Sequence, residues 1–420
     1  MKKVWDKWTR IALVKRILVG LILGAILGIA VPQATGIAIL GDVFVSALKA
    51  IAPLLVFFLV VSSLCNAGKS HGGVIKTVII LYMFSTVLAA VIAVFASMAF
   101  PVKMTLANAA TDTSAPQGIV EVLNNLLLNV VANPVSSLVN ANYVGILMWA
   151  VLLGLAFRAA DKMTKKVLAD VADGISMVVT WIINLAPFGI FGLVFNTVST
   201  NGLDIFTTYG KLLLLLVGCM LFIYFVTNPL LVYWCIRQNP YPLIFHCLKR
   251  SALTAFFTRS SAANIPVNMK VCEEMGLDRD TYSVTIPLGA TINMDGAAIT
   301  ITVMTMATAF TLGINVDIPT AIILSLLAAL SACGASGVAG GSLLLIPLAC
   351  SLFGISDDIA MQVVAVGFII GVIQDSVETA LNSSSDLLLS ASAEFRQWRL
   401  ERKEVGGQAV LGRQHVSPTP

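Results

Sequence analysis

Four carboxylates interrupt long apolar stretches in the last third of the sequence. They are Asp295, Asp375, Glu378 and Asp386. A charge at the centre of a bilayer costs at least about 2.5 kcal/mol, and such residues are usually functional. No Lys or Arg occurs between Arg279 and Arg396, so neutralisation must come from Arg259, from protonation or from bound metal cations. Because hard oxygen ligands suit hard cations, we favour bound Na⁺ as part of the answer.

A polar stripe runs along the last apolar segment. Its members, spaced i, i+3, i+4, i+7 and i+11, are Asp375, Glu378, Thr379, Asn382 and Asp386. This spacing puts them on one face of a helix, opposite apolar residues such as Ile373 and Leu387. A polar face at membrane depth must line a bundle interior or a cavity. The serines at 383–385 add oxygen atoms near Asp386.

A second polar interruption, Gly-Ala-Thr-Ile-Asn-Met-Asp-Gly, spans residues 289–296. Glycine permits a helix to unwind, and unwinding frees carbonyl oxygens. Those oxygens would lie beside the amide of Asn293 and the carboxylate of Asp295, which together are typical of a cation site. The alternative is a helix–helix interface built from glycine and polar contacts.

Membrane helices must position these residues. The 420-residue chain is 58% hydrophobic and 11% charged, whereas soluble domains carry about 25% charged residues. Several apolar runs reach the roughly 20 residues that cross a bilayer core of about 30 Å. Six spans are predicted first, at residues 17–35, 42–66, 76–100, 118–158, 168–199 and 210–236. Many Asn residues between 121 and 145 predict broken or interfacial helices there.

The last third has a different pattern. Residues 243–271 and 319–352 each contain two apolar arms too short to cross, interrupted at 258–266 and 331–342. Pro266 and its neighbouring serines favour a chain reversal in the first. Near-complete spans follow at 283–312 and 358–390. Paired interrupted segments are typical of a transporter binding site. The sequence therefore predicts an all-α polytopic membrane protein with eight transmembrane segments and two re-entrant helical hairpins.

Basic residues follow the even-numbered spans, which places those loops and both termini in the cytoplasm. A cleaved signal peptide is the alternative for the first 35 residues, but no small-x-small cleavage site is obvious. We expect a cytoplasmic segment at 1–16, six helices over 17–240, a hairpin-containing core over 241–395 and a disordered cytoplasmic tail over 396–420. The scattered cysteines and histidines show no metal-ligand spacing.

Four motifs, in this order, resemble the dicarboxylate/amino acid:cation symporter family, which includes the glutamate transporters. They occupy residues 258–261, 288–296, 334–341 and 375–386. The resemblance implies a glutamate-transporter-like elevator fold and a homotrimer in the bacterial inner membrane. It also implies that residues 17–240 mostly form a trimerisation scaffold, with helices 3 and 6 joining the transport core at 241–395.

The resemblance implies a substrate site. Asp375 would bind the substrate's α-ammonium, and Ser261 and Asn382, with backbone at both hairpin tips, would hold its α-carboxylate. Thr379 would line the side-chain pocket. The remaining predicted substrate contacts are Ser260, Ala297, Gly337 and Glu378.

The same resemblance implies three sites for co-transported Na⁺. The first comprises Gly289, Asn293, Asn382 and Asp386. The second comprises Asn293, Asp295, Tyr82, Ser85 and Thr86. The third, which would close the gate, comprises Thr291, Met294 and second-hairpin backbone at Ala332, Cys333 and Ala335.

Departures from the family pattern narrow the range of expected substrates. Carriers of acidic substrates have Arg one turn after the position of Asp375, where this chain has Glu378. An Arg would pair with a side-chain carboxylate, whereas a Glu would repel it. Ala297 replaces the usual Thr after Asp-Gly, and Ala335 and Ser336 stand where Thr is more familiar. We therefore expect Na⁺-coupled uptake of L-serine and L-threonine.

Other functions remain as alternatives. One is a proton- or sodium-coupled carrier of dicarboxylates or acidic amino acids. A channel could use the polar stripe as a pore lining, but closed hairpins favour occlusion. An enzyme is disfavoured because no His lies in the motifs and no GxSxG elbow occurs. We expect the lipid bilayer as a partner, and no nucleic acid.

Overall fold

The computed structural model describes residues 11, 13–66, 73–106, 128, 131–202, 205–333, 335 and 340–401. The regular structure of this part of the chain is helical, without any strand. Several predictions lie outside it. They concern residues 1–10, the beginning of the predicted span 118–158, Gly337 with most of the glycine-rich tip, and the tail from 402.

The described residues of the first part of the chain form seven α-helices. They are α1 (Leu13–Ala30), α2 (Ile39–Asn66), α3 (Gly73–Ala99), α4 (Pro134–Val139), α5 (Tyr143–Ala156), α6 (Lys162–Asn184) and α7 (Ala186–Asn201). The prediction of broken helices between 121 and 145 is confirmed where the chain is described. The Asn133 side chain accepts the N–H groups of Val135 and Ser136 and so starts α4, while Asn142 caps α5.

One predicted span, 168–199, is wrong as a single helix. The structure divides this region between α6 and α7, which meet at Leu185. Pro187 lies in the first turn of α7. Its ring removes one backbone donor and clashes with a continuing helix, so the chain restarts there. Asp161 caps α6 at its other end, where the Thr164 N–H lowers the pKa of its carboxyl.

The sixth predicted span is present with a local irregularity. Helix α8 (Ile205–Phe222) continues through a π-helical turn (Ile223–Thr227) into α9 (Asn228–Ile236). Pro229 lies two residues after that turn and, lacking an N–H group, cannot donate to a carbonyl of the preceding turn. A π turn accommodates such a defect without ending the helix.

The last third contains two helix pairs, one in each of the interrupted segments 243–271 and 319–352, and a long helical stretch after each pair. These elements are α10 (Tyr241–Cys247), α11 (Leu253–Thr258), α12 (Ser261–Glu274), α13 (Arg279–Ile292), α14 (Asp295–Thr311), α15 (Ile318–Ala332), α16 (Ile346–Ser351) and α17 (Asp357–Leu400). A π turn (Leu248–Ala252) joins α10 to α11, and a 3₁₀ turn (Gly341–Leu345) precedes α16.

The first helix pair reverses at Arg259 and Ser260. Arg259 has a left-handed backbone with φ of 52°, and the Ser260 side chain accepts the Ala263 N–H to start α12. The reversal falls within the predicted interruption at 258–266, at its serine-containing start, and Pro266 itself lies inside α12. The incoming helix α11 ends at Thr258. In the second pair, the connection lies largely outside the described residues.

Six stretches of the described chain are long and apolar enough to cross a membrane. They are Thr35–Asn66, Gly73–Ala99, Lys162–Asn184, Phe206–Ile236, Arg279–Thr311 and Asp357–Leu400. The last has 44 residues. At about 1.5 Å per residue it is about 66 Å long, so it extends beyond a hydrocarbon core of about 30 Å.

The helices pack in two groups. Helix α17 contacts α3, the helices from α8 to α14, and α16, while α15 packs on α3 and α14. Helix α2 packs on α5, α6 and α7. Helices α1 and α7 approach each other closely through glycine. A Cβ at Gly20 would lie 2.2 Å from the Pro187 carbonyl oxygen, and one at Gly24 would lie 2.6 Å from that of Phe191. Small residues four apart allow such backbone contact between membrane helices.

We expect Gly20→Ala to lower the apparent melting temperature in detergent, because its methyl group has no space against the α7 backbone. Overpacking of this kind costs about 1–3 kcal/mol. The matched control is Gly174→Ala in α6, where a Cβ would meet nothing within 4 Å. Equal melting temperatures for the two variants would contradict the described α1–α7 packing.

Candidate functional site

Asp375 is the one of the four predicted carboxylates with a basic partner in the described chain. The Arg259 Nε donates to Asp375 Oδ2 at 2.6 Å, and the Gly340 N–H donates to Asp375 Oδ1 at 3.1 Å. Both charged side chains are buried, and Arg259 Nη1 lacks a hydrogen-bond partner among the described residues. The pair therefore joins α17 to the reversal of the first helix pair and to the chain before α16. Of the possible means of neutralisation, Arg259 serves Asp375.

Glu378 is buried one turn further along α17 and has three donors. Its Oε2 accepts from Thr300 Oγ1 at 2.7 Å, Ser342 Oγ at 2.9 Å and Gln374 Nε2 at 2.5 Å. These contacts link α17 to α14 and to the 3₁₀ turn before α16. Hydroxyl and amide dipoles hold this carboxyl, and within the described residues it has no ion pair.

Asp295 lies at the start of α14 against α3 and is fully buried. Ser85 Oγ donates to Asp295 Oδ2 at 2.8 Å, and Thr86 Oγ1 lies 3.2 Å from Oδ1. The Met294 N–H donates to Thr86 Oγ1 at 3.2 Å. The structure thus brings together most of the second predicted Na⁺ site, although Tyr82 contacts a different carboxylate residue.

Asp386 is the least exposed carboxylate of the polar stripe. The Asn293 Nδ2 donates to Asp386 Oδ1 at 2.9 Å, and the Tyr82 hydroxyl donates to the Asp386 carbonyl oxygen at 2.8 Å. A Cβ at Gly289 would lie 2.8 Å from the carboxylate and 2.9 Å from the Tyr82 hydroxyl oxygen. Glycine is therefore required sterically beside Asp386. Asn293 Oδ1 is buried with no hydrogen-bond partner among the described residues.

The backbone break that presents these groups falls between α13 and α14. Asn293 and Met294 have non-helical dihedrals, with φ, ψ of −97°, 80° and −119°, 51°. The Gly296 N–H, left free at the start of α14, donates to Asn382 Oδ1 at 2.7 Å. Asn382 Nδ2 lies 3.4 Å from Met294 Sδ. The unwinding expected from the glycine-containing motif is therefore present, and the hydrogen bond to Asn382 of α17 stabilises it.

The other predicted residues surround this centre. Thr379 donates to the Asp375 carbonyl, Thr291 to the Leu288 carbonyl, and the Cys333 thiol lies 3.6 Å from the Ile292 carbonyl oxygen. Four further predicted site residues are buried, namely Ser261, Ala297, Ala332 and Ala335. Ser260 is partly exposed at its capping position. The end of α15 therefore reaches the α13–α14 break.

The ligand atoms around the buried carboxylates are oxygens of several kinds. No group of three or more His, Cys, Asp or Glu suited to a metal ion occurs in the part of the chain that was described. The buried carboxylates instead lie beside hydroxyl, amide and main-chain oxygens. Such oxygens suit hard cations.

Three polar partners were missed at the sequence level. Thr300, Ser342 and Gln374 all contact Glu378. Gln374 lies four residues before Glu378 and so shares its helical face, which is a usable signal. The other two come from separate elements and had no such signal. Asn264 and Asn268 of α12 were missed as well, and both donate to Ser383 of α17.

Comparison with known proteins decides the family. The model of the sodium:dicarboxylate symporter family matches residues 13–394. The chain belongs to this family. As a member of the sodium:dicarboxylate symporters it is a multi-pass membrane transporter and not an enzyme, and the resemblance recognised in its motifs is confirmed.

Two relatives within the family are similar over nearly their whole length. The Serine/threonine transporter SstT of Bifidobacterium adolescentis is 57% identical over 406 residues, covering 96% of this chain and 94% of the relative. The protein of the same name from Streptococcus thermophilus is 56% identical over 400 residues, covering 95% of this chain and 100% of the relative. Both relatives are named for the two amino acids that the sequence analysis expects as substrates.

We expect Thr300→Val to lower stability by about 1–3 kcal/mol, because it removes a donor from the buried Glu378 carboxyl. Thr302→Val is the matched control, since Thr302 is equally buried on the same helix but its hydroxyl has no partner among the described residues. Thermal unfolding in detergent compares them. If Thr302→Val were as damaging as Thr300→Val, the Glu378 contacts would not be stabilising.

Proposed function

We propose that the protein is a Na⁺-coupled symporter that takes up L-serine and L-threonine across the bacterial inner membrane. The observation that carries this proposal is a set of three buried carboxylates without a basic partner in the described chain. They are Asp295, Glu378 and Asp386. Anionic carboxylates in an apolar interior need compensating charge. Two full-length relatives named as serine/threonine transporters support the substrate.

Two carboxylates are proposed as Na⁺ ligands. Asp386, with Asn293, Asn382 and the backbone at Gly289, would form one site, and the unpartnered Asn293 Oδ1 supports it because this oxygen is available to a cation. Asp295 would form another with Ser85 and Thr86, whose hydroxyls already lie within 3.2 Å of its carboxylate. The predicted ligands Tyr82 and Asn293 complete the second set, while Thr291, Met294 and the end of α15 belong to the proposed third.

Asp375 is proposed as the partner of the substrate's α-ammonium. Its carboxylate lies where the first helix pair, α17 and Gly340 meet, so a small amino acid bound there would contact all three elements. Arg259 shares this carboxylate and has an unpartnered Nη1, which supports binding of the substrate's α-carboxylate nearby. Ser260, Ser261, Ala297, Gly337, Thr379 and Asn382 are the proposed surrounding contacts.

Glu378 is proposed as the residue that excludes acidic substrates. It is held by neutral donors and carries no counter-cation in the described residues, so a second carboxylate beside it would be repelled. The alternative function, a proton- or sodium-coupled carrier of dicarboxylates or acidic amino acids, requires a cation at this position instead.

The proposed architecture has eight transmembrane segments and two re-entrant hairpins, formed by α10–α12 and by α15–α16. The two packing groups support a division into a scaffold and a transport domain, because α17 gathers the carboxylate-bearing elements while α2 gathers α5, α6 and α7. Elevator movement, a homotrimer and cytoplasmic termini complete the proposal. The placement of basic residues after even-numbered spans supports the orientation.

Uptake of labelled serine into proteoliposomes tests the function. We expect saturable uptake that requires an inward Na⁺ gradient, competition by excess threonine and little competition by excess aspartate. Uptake driven equally well without Na⁺ would contradict the coupling. Strong competition by aspartate would favour the acidic-substrate alternative.

We expect Asp375→Asn to abolish serine binding, because the ammonium loses its charged partner, with a loss of at least about 100-fold in affinity, in line with truncating one member of a buried ion pair. Asp358→Asn is the matched control, since its side chain is 86% exposed in the Lys49 ion pair. Binding is measured calorimetrically in saturating Na⁺. Unaltered affinity in Asp375→Asn would show that the ammonium binds elsewhere.

A further inference from the structure

An open apolar groove lies between α3 and α8, away from the carboxylate centre. It has a volume of about 840 Å³ and is lined by Phe95, Phe100, Leu214, Gly218 and Phe222, among other apolar residues. Phe100 and Leu214 are 69% and 74% exposed. Both helices belong to stretches apolar enough to cross a membrane, so the groove lies at membrane depth.

Glycine keeps the groove open. A Cβ at Gly218 would meet nothing within 4 Å, so no packing contact requires glycine there. Any larger side chain at 218 would instead project into open space in the wall of the groove. Glycine in the middle of a helix is intrinsically unfavourable compared with alanine. The α8 backbone at Gly218 thus forms part of the groove wall, although no neighbouring helix is close enough to require a glycine there.

One end of the groove carries a positive charge. Lys211 is the charged member of the lining, and among the described residues it has no ion pair. Phe100 and Pro101, just past the end of α3, also line the groove. In the predicted topology α3 ends and α8 begins on the same side of the membrane, which puts Lys211 at that end. A lysine at the end of an apolar surface extends its amine toward the headgroup region, where phosphodiesters are found.

The groove has the length of one membrane leaflet. Lys211 and Phe222 are separated by about 16 Å along α8, at about 1.5 Å per residue. Half of a hydrocarbon core of about 30 Å is about 15 Å. A cation at one end and an apolar wall of this length match an anionic headgroup followed by an acyl chain.

We propose that the α3–α8 groove binds an anionic phospholipid of the surrounding bilayer, with one acyl chain along Gly218 and the phosphodiester at Lys211. The occupant is a lipid rather than a second copy of the chain because the lining combines an open apolar wall with a cation that has no ion pair among the described residues. This site is independent of the proposed substrate and Na⁺ sites.

Lipid retention tests the site. The full-length protein is reconstituted with equal amounts of phosphatidylglycerol and phosphatidylethanolamine, re-extracted in mild detergent, washed, and its retained lipids are counted by mass spectrometry. We expect retained phosphatidylglycerol in the wild type and at least about tenfold less in Gly218→Phe, since the ring would fill the space of several methylene groups. Gly174→Phe, at an equally open position on α6, should retain the wild-type amount.

Lys211→Gln is a second variant for the same lipid-retention measurement, and it tests the proposal even if Gly218→Phe does not fold. We expect it to reduce the preference for phosphatidylglycerol over phosphatidylethanolamine about fivefold, which corresponds to one cation near an anionic surface. Lys211→Arg should keep the preference. Equal retention in all variants would overturn the proposal. A second result would also overturn it. If wild-type protein retains no lipid and Gly218→Phe lowers its oligomeric mass, the groove is the contact surface for a second copy of the chain.

Discussion

The burial of carboxylates in an apolar interior is the constraint on which the rest of this structure depends. A polar group removed from water must find partners, and a charge must find them at higher cost. Asp375 meets this need with Arg259, whereas Asp295, Glu378 and Asp386 use hydroxyl and amide donors. Donors of that kind orient a carboxylate but do not cancel its charge. In the proposed function, this remaining charge is what co-transported Na⁺ compensates.

The helices around the site are irregular in ways that this constraint explains. The break at Asn293 and Met294 turns main-chain groups toward the side chains of α17, and the Gly296 N–H is taken up by Asn382. Glycine at 289 leaves space for the Asp386 carboxylate. Gly296 does the same against Glu378, whose Cγ would lie 2.9 Å from an added Cβ. These features allow separate elements to converge on one long helix.

Sequence reasoning identified the parts of the site that depend on neighbours along the chain. The stripe from Asp375 to Asp386 follows from helical periodicity, and the break near Asn293 follows from glycine and polar residues within an apolar span. Local patterns cannot pair distant elements. The contact of Ser85 with Asp295 was expected only from the family resemblance, and that of Ser342 with Glu378 was missed. Local backbone chemistry also caused an error, because Pro187 divided a span that was expected to be continuous.

Calorimetric titration of serine at a series of Na⁺ concentrations tests the central claim most directly. If buried carboxylates need Na⁺ for their charge compensation, the apparent affinity for serine rises steeply with Na⁺, and the slope on logarithmic axes gives a lower bound on the number of coupled ions. Replacing Na⁺ by choline at constant ionic strength should then remove the binding heat. Serine binding of equal affinity with and without Na⁺ would contradict the account.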